Sequence, residues 1–244
     1  MKKLIVGNWK MYMSSSSSEE LSAQLKRFLD ERQILDEIVI APSFPYLHII
    51  GKSNLCLAAQ NVSEYREGAH TGEVSAKQLK DLGCKYVIVG HSERRNMHNE
   101  NSILAKEKAE QVISSDMLPI ICVGETLKEK ESGMTANVLK KQVSESTPNR
   151  KMKKFIVAYE PVWAIGSGKI PTTEDIEFAS HVILAELKKL NSFENNACIL
   201  YGGSVKSTNC QSIMACSNIS GLLVGGASLK IDEFTKIISL ASEV

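Results

Sequence analysis

The chain has no apolar run long enough to cross a membrane, which would take ~20 consecutive residues. It has no surplus of either charge: 29 Lys and Arg stand against 28 Asp and Glu, a net charge of +1. The two signs are interspersed and no basic stripe stands out, so nucleic acid is not an expected partner. A small anion still is, because a local site can be positive on a near-neutral protein. The cysteines Cys56, Cys84, Cys122, Cys198, Cys210 and Cys216 form no C-x-x-C pair. Several lie inside apolar runs, so they read as reduced thiols in the core of a cytoplasmic protein. The opening M-K-K-L-I-V-G has the charge of an export signal, but its apolar stretch is too short for export. No G-x-G-x-x-G follows the first apolar run, which weakens a dinucleotide-binding reading.

What is present is enough apolar material for one core: 43% of the 244 residues are hydrophobic. A chain of this size buries roughly 70–75% of its unfolded surface. Eight short apolar runs recur: 4–6, 38–41, 55–59, 86–89, 119–123, 155–159, 198–201 and 221–224. They are continuous rather than alternating, as suits parallel strands covered on both faces. Helical patterns lie between them. Residues 174–190 carry Ile176, Ala179, Ile183, Leu187 and Leu190 on one face, with Thr172 or Thr173 as cap. Residues 19–32, 101–115 and 229–241 also read as helices, and 43–51 and 205–216 more weakly. In the serine run 14–18, Ser17-x-x-Glu20 fits a capping box. Strands alternating with helices mean α/β, and right-handed crossovers keep the strands parallel. Eight such units can close into a single-domain (β/α)8 barrel over 1–244, with the site at the C-terminal strand ends. An open doubly wound sheet is the rival.

The polar residues at those strand ends come next. Asn8, Trp9 and Lys10 follow the first strand, G-H-S-E-R-R (90–95) the fourth, Glu160 the sixth, G-G-S (202–204) the seventh and G-G-A-S (225–228) the eighth. In a barrel they converge on one mouth. Glycine-rich turns leading into helices offer backbone N–H groups to an anion, and the loops after strands 7 and 8 are the usual phosphate site of this fold. A carboxylate can take a proton from carbon beside a carbonyl, a neutral His can hydrogen-bond that carbonyl, and a Lys can stabilise the enediolate. With no hydride acceptor and no obvious metal cluster, the set fits isomerisation of a small phosphorylated carbonyl compound without metal or cofactor. Residue types alone leave open another phosphate-binding barrel, such as a Schiff-base aldolase with Lys10 as nucleophile, or a non-catalytic scaffold.

G-N-W-K-M (7–11), G-H-S-E-R-R (90–95), Y-E-P-V-W-A-I-G-S-G-K (159–169), Y-G-G-S-V (201–205) and V-G-G-A-S-L (224–229) resemble the signatures of the triosephosphate isomerase family. That family is also a standard example of a Glu base working with a neutral His and a closing loop. The resemblance implies Glu160 as base, His91 as electrophile on a helix N-terminus near Ser92, and Lys10 as electrostatic partner. It implies Asn8 as a neighbouring donor and Gly166, Ser204, Gly225 and Gly226 as the phosphate clasp. Residues 161–171 resemble the lid of the family. Residues 60–75 resemble its interdigitating loop, with Thr71 at the tip, which implies a homodimer. The chain departs from the pattern at Tyr12 and Met13, where the family usually has Asn-Gly, and at His70, where Phe is common. Pro171 stands where a lid N–H would bond the tyrosine matching Tyr201.

Overall fold

A computed structural model of the chain describes residues 2–152, 154–165, 169–190 and 193–244. Eight strands are present: β1 (Leu4–Asn8), β2 (Glu37–Ala41), β3 (Cys56–Ala59), β4 (Cys84–Val89), β5 (Leu118–Val123), β6 (Phe155–Tyr159), β7 (Ala197–Tyr201) and β8 (Ile219–Val224). Each pairs in parallel with the next, and β8 pairs with β1, closing a barrel in chain order. The fold is the expected single-domain (β/α)8 barrel.

Two apolar clusters explain why the strands read as unbroken runs. Alternate strand residues, among them Leu4, Val6, Val39, Ile88, Ile120, Ile156 and Leu200, fill the barrel interior. The intervening ones, such as Ile5, Ile40, Val87, Ile121 and Ile199, pack outward against the helices. Each strand face is covered, so both sets must be apolar.

The helices are α1 (Ser15–Arg32), α2 (Leu47–Lys52), α3 (Ala76–Asp81), α4 (Ser92–Met97), α5 (Ser102–Ser114), α6 (Leu127–Glu131), α7 (Thr135–Ser146), α8 (Thr173–Leu187), α9 (Cys210–Met214) and α10 (Ile231–Ser242). Ile176, Ala179, Ile183 and Leu187 of α8 are buried, as its pattern requires, and Thr172 is the cap. The start of α1 differs from expectation. Ser14, not Ser17, is the N-cap: its backbone is extended and its hydroxyl accepts the Ser17 N–H, while the Ser17 hydroxyl accepts the Ser14 N–H. A serine at N3 returns the bond that Glu20 was expected to make, so the helix begins four residues earlier than 19. The 43–51 segment splits into a 3-10 turn, Phe44–Tyr46, and α2. In 205–216 only α9 is helical. Sequence periodicity misses α7, which buries only Leu139, Val143 and Ser146.

Candidate active site

The β1 end sets the first wall. Asn8 is buried, and its Oδ1 accepts the Lys10 N–H at 3.0 Å. Gln60 Nε2 donates to both Lys10 O and Ala41 O, each at 2.8 Å. These bonds hold Lys10 at φ 51°, a left-handed conformation that a non-glycine residue adopts only at a cost. From there its ammonium reaches Glu93 Oε1 at 2.6 Å.

The β4 and β6 ends bring His91 and Glu160 together. His91 is the N-cap of α4, and its Nδ1 accepts the Glu93 N–H at 3.2 Å. Nδ1 is therefore the unprotonated nitrogen, which leaves Nε2 facing Glu160 Oε1 at 3.0 Å. The other carboxylate oxygen accepts the Ser92 N–H at 2.8 Å. Glu160 is 1% exposed, and its backbone is pinned where β5 ends. Its N–H donates to Val123 O at 2.7 Å, and its carbonyl lies so close to Gly124 that a Cβ there would stand 1.7 Å away. Only glycine fits at 124.

Burial works to raise the Glu160 pKa, but the His91 charge, the Ser92 N–H and Lys10 hold it below the ordinary carboxylate value. Burial likewise works to lower the His91 pKa, yet the adjoining Glu160 carboxylate, then Glu93, turn the balance upward. The upward balance is the reverse of what burial alone would give. Its cause is the carboxylate at 3.0 Å.

The β7 and β8 ends close the site. Gly225 leads into a 3-10 turn, Gly226–Leu229, in which Ser228 N–H and hydroxyl both donate to Gly225 O. The first amides of such a turn have no partner within it, and Gly226 and Ala227 line the cavity. Asn8, Lys10, His91, Glu160, Ser204, Gly225 and Gly226 all face one cavity of about 750 Å³. Gly166 lies outside the described residues. The cavity wall also includes Tyr12, Ser92, Lys206 and Lys230. Of these, Tyr12 was noted only as a departure and Ser92 only as a helix start, while the lysines carried no local signal. Among the described residues, no group of three or more His, Cys, Asp or Glu is placed to hold a metal ion.

The family model described as triosephosphate isomerase matches residues 3–241. The chain belongs to the triosephosphate isomerase family. It is 44% identical to the triosephosphate isomerase of Thiobacillus denitrificans over 250 residues, covering 99% of each chain. It is 42% identical to that of Mycoplasmopsis pulmonis and 40% to that of Thermus thermophilus, covering 98% of each chain in both cases. The crystal structure of triosephosphate isomerase from Bartonella henselae superposes with a TM-score of 0.88 at 32% identity, covering 98% of this chain and 99% of that one.

Two buried groups behind this triosephosphate isomerase-type site were not legible in the sequence. Glu100 accepts the Gly90 N–H at 2.8 Å, Arg94 Nε at 2.7 Å and Lys108 Nζ at 2.6 Å. It thereby fixes the turn that carries His91, and Lys108 also reaches Asn61 at 3.0 Å. Glu125 is the second, bonded to Tyr159 and Trp163. A lone Glu outside any motif gives no sequence signal; only the partners define it.

The Tyr201 hydroxyl is buried without a hydrogen-bond partner among the described residues. Gly203 makes room for it, since a Cβ there would fall 2.2 Å from the hydroxyl oxygen. Pro171 has no N–H with which to serve it. The family resemblance also implies a latch from the Ser204 hydroxyl to the Gly168 backbone, and Gly168 lies outside the described residues.

Two expectations follow from these groups. Glu100→Gln removes the anion facing buried Lys108 and should cost about 3 kcal/mol or more. Burial works to raise the Glu100 pKa, but the bonds from Lys108 and Arg94 lower it on balance. Its stabilising charge is thus fully present above an unfolded value of ~4.3 and lost as pH falls through the folded value. Urea titrations should show a wide gap between wild type and variant at pH 7 and a narrowing gap in acid. Tyr201→Phe should leave kcat/KM within about tenfold, ~1.4 kcal/mol, and stability no lower, because the lost hydroxyl has no partner among the described residues. A larger loss in steady-state kinetics would mean that Tyr201 finds a partner when substrate is bound.

Proposed function

We propose that the cavity interconverts dihydroxyacetone phosphate and D-glyceraldehyde 3-phosphate by proton transfer through an enediolate, a step of glycolysis and gluconeogenesis. The observation that carries this reading is the meeting of Glu160 and His91 at 3.0 Å within the cavity that Lys10 and the Gly225–Gly226 turn also line. Glu160, held ionised, takes a proton from one substrate carbon and returns it to the next. The substrate carbonyl takes the place of the carboxylate at Nε2 of His91. Once that charge has moved away, burial and the α4 N-terminus remain to keep the imidazole neutral as a hydrogen-bond donor. Lys10 stabilises the oxyanion, with Asn8 beside it. Backbone amides at Gly226, together with Gly166 and Ser204, hold the phosphate, as in other helix-start anion sites. Residues 161–171 close over the site and exclude water, which protects the enediolate.

An aldolase reading would make Lys10 a Schiff-base nucleophile. Its ammonium is instead tied to Glu93 at 2.6 Å rather than desolvated in an apolar pocket. Borohydride with substrate would trap an adduct only in the aldolase case, and an assay coupled to glyceraldehyde 3-phosphate would detect turnover only in the isomerase case.

The chain acts as a homodimer through residues 60–75, in the cytoplasm, where buried thiols such as Cys84 and Cys122 stay reduced. That segment is closed at its base by Ser63 N–H to Val74 O at 2.9 Å. Tyr65 and His70 stack within it at 3.8 Å, and Thr71 is exposed. Met11, Tyr12 and Met97 leave apolar surface exposed on the monomer, of the kind a protein contact covers. Among the described residues, no helix is long and apolar enough to cross a membrane.

Glu160→Asp should fold normally and lose about 10²-fold in kcat/KM, because shortening withdraws the base by roughly 1 Å. Near-normal turnover by the folded variant would remove Glu160 from the base role. Thr71→Arg should weaken dimer and activity together. A monomer in sedimentation that keeps full activity would contradict the contribution of this loop.

A further inference from the structure

The segment after Glu160 is fastened from outside the barrel. Trp163 lies in the 3-10 turn Val162–Ala164, and its indole N–H donates to Glu125 Oε1 at 2.7 Å. The same oxygen accepts the Tyr159 hydroxyl at 3.1 Å. Glu125 is 1% exposed, and its other oxygen has no partner among the described residues. Burial raises its pKa, while the indole, the Tyr159 hydroxyl and the charge of Lys130 pull it back.

Lys130, on α6, meets both flanks of this segment. Its ammonium stands 4.2 Å from the centre of the Trp163 ring, inside cation–π range. It also stands 2.7 Å from Asp175 Oδ1. Asp175 forms the capping box of α8 with Thr172, directly beyond Pro171. One cation therefore joins the 3-10 turn after β6 to the first turn of α8, and its charge also acts on the buried Glu125 carboxylate. On the other side of the same turn, Val162 and Ile165 line the cavity beside Glu160.

We propose that Lys130 is a positioning residue for the reaction: its ammonium, held between the Trp163 ring and Asp175, sets the spacing of the two flanks of residues 161–171, and through them the placement of Val162, Ile165 and the Glu160 carboxylate. This rests on the isomerase reading above. Lys130 touches no part of the cavity itself. An ion pair half open to water contributes little to stability, so the effect belongs in the kinetics.

The test compares Lys130→Met and Lys130→Arg with wild type in the full chain. Wild-type turnover of glyceraldehyde 3-phosphate in the same assay first establishes the isomerase reading; its absence would sink that reading and leave the question of Lys130 to the tryptophan emission spectrum. Given wild-type turnover, Lys130→Met should keep its melting temperature within a few degrees and lose roughly tenfold in kcat with little change in KM, as remote misplacement of a base does. Tryptophan emission should change, because the cation leaves the Trp163 face. Lys130→Arg keeps a cation at both contacts and should restore most of kcat and the wild-type spectrum. A Met variant with wild-type kcat overturns the proposal. So does one whose activity falls only in step with its stability and is not rescued by Arg.

Discussion

The pairing of β8 with β1, from Leu4 beside Gly221 to Gly7 beside Val224, closes the sheet into a ring. Everything the site needs depends on that closure. An open sheet would leave Lys10 and the Gly225–Gly226 turn at opposite edges, whereas the ring makes their strands neighbours. With all strands parallel, the C-terminal ends point to one mouth, and five short segments scattered along the chain become one cavity. The closed barrel also leaves no edge strand exposed.

At and behind that mouth, several charges are paired. Lys10 is met by Glu93, His91 by Glu160, and Glu100 by Arg94 and Lys108. Each buried ion has partners of opposite charge or a backbone N–H, which is the condition for keeping an ion away from water. The Glu160–His91 pair differs from the others in purpose. Its contact shifts the pKa of each group toward its charged form, and in the proposed reaction a substrate carbonyl takes the place of the carboxylate at His91.

The chain departs from the motifs its family resemblance implies at a few positions, and the structure shows what stands there. Met13 occupies φ 78°, where the family usually has glycine. That backbone costs an ordinary residue about 1–2 kcal/mol, and the Met13 side chain offsets part of it by packing on the outer core. Pro171 has no N–H to donate, and the Tyr201 hydroxyl is buried without a hydrogen-bond partner among the described residues. The start of α8 is tied to α6 through Asp175 and Lys130.

The strands and the identities at their ends were readable because each is a local fact. An apolar run covered on both faces is recognised from its own residues, and the polar residue that follows it is next in the chain. Asn8, Lys10, His91, Glu160, Ser204, Gly225 and Gly226 were found in this way, and they share one cavity. Short helices and the α1 cap were less legible, because Ser14 and Ser17 compete as caps until the backbone chooses. The partners were not legible at all. Ser92 and Glu160 are 68 positions apart, and Tyr159 and Glu125 are 34 apart. Nothing in the sequence near Glu100, Glu125 or Lys130 marks what they touch. The sequence by itself determined the fold and the chemical groups at its mouth, since local pattern suffices for both. Only the tertiary structure decided which groups meet, and hence which carboxylates are ionised, because hydrogen bonds and charge pairs act across space and not along the chain.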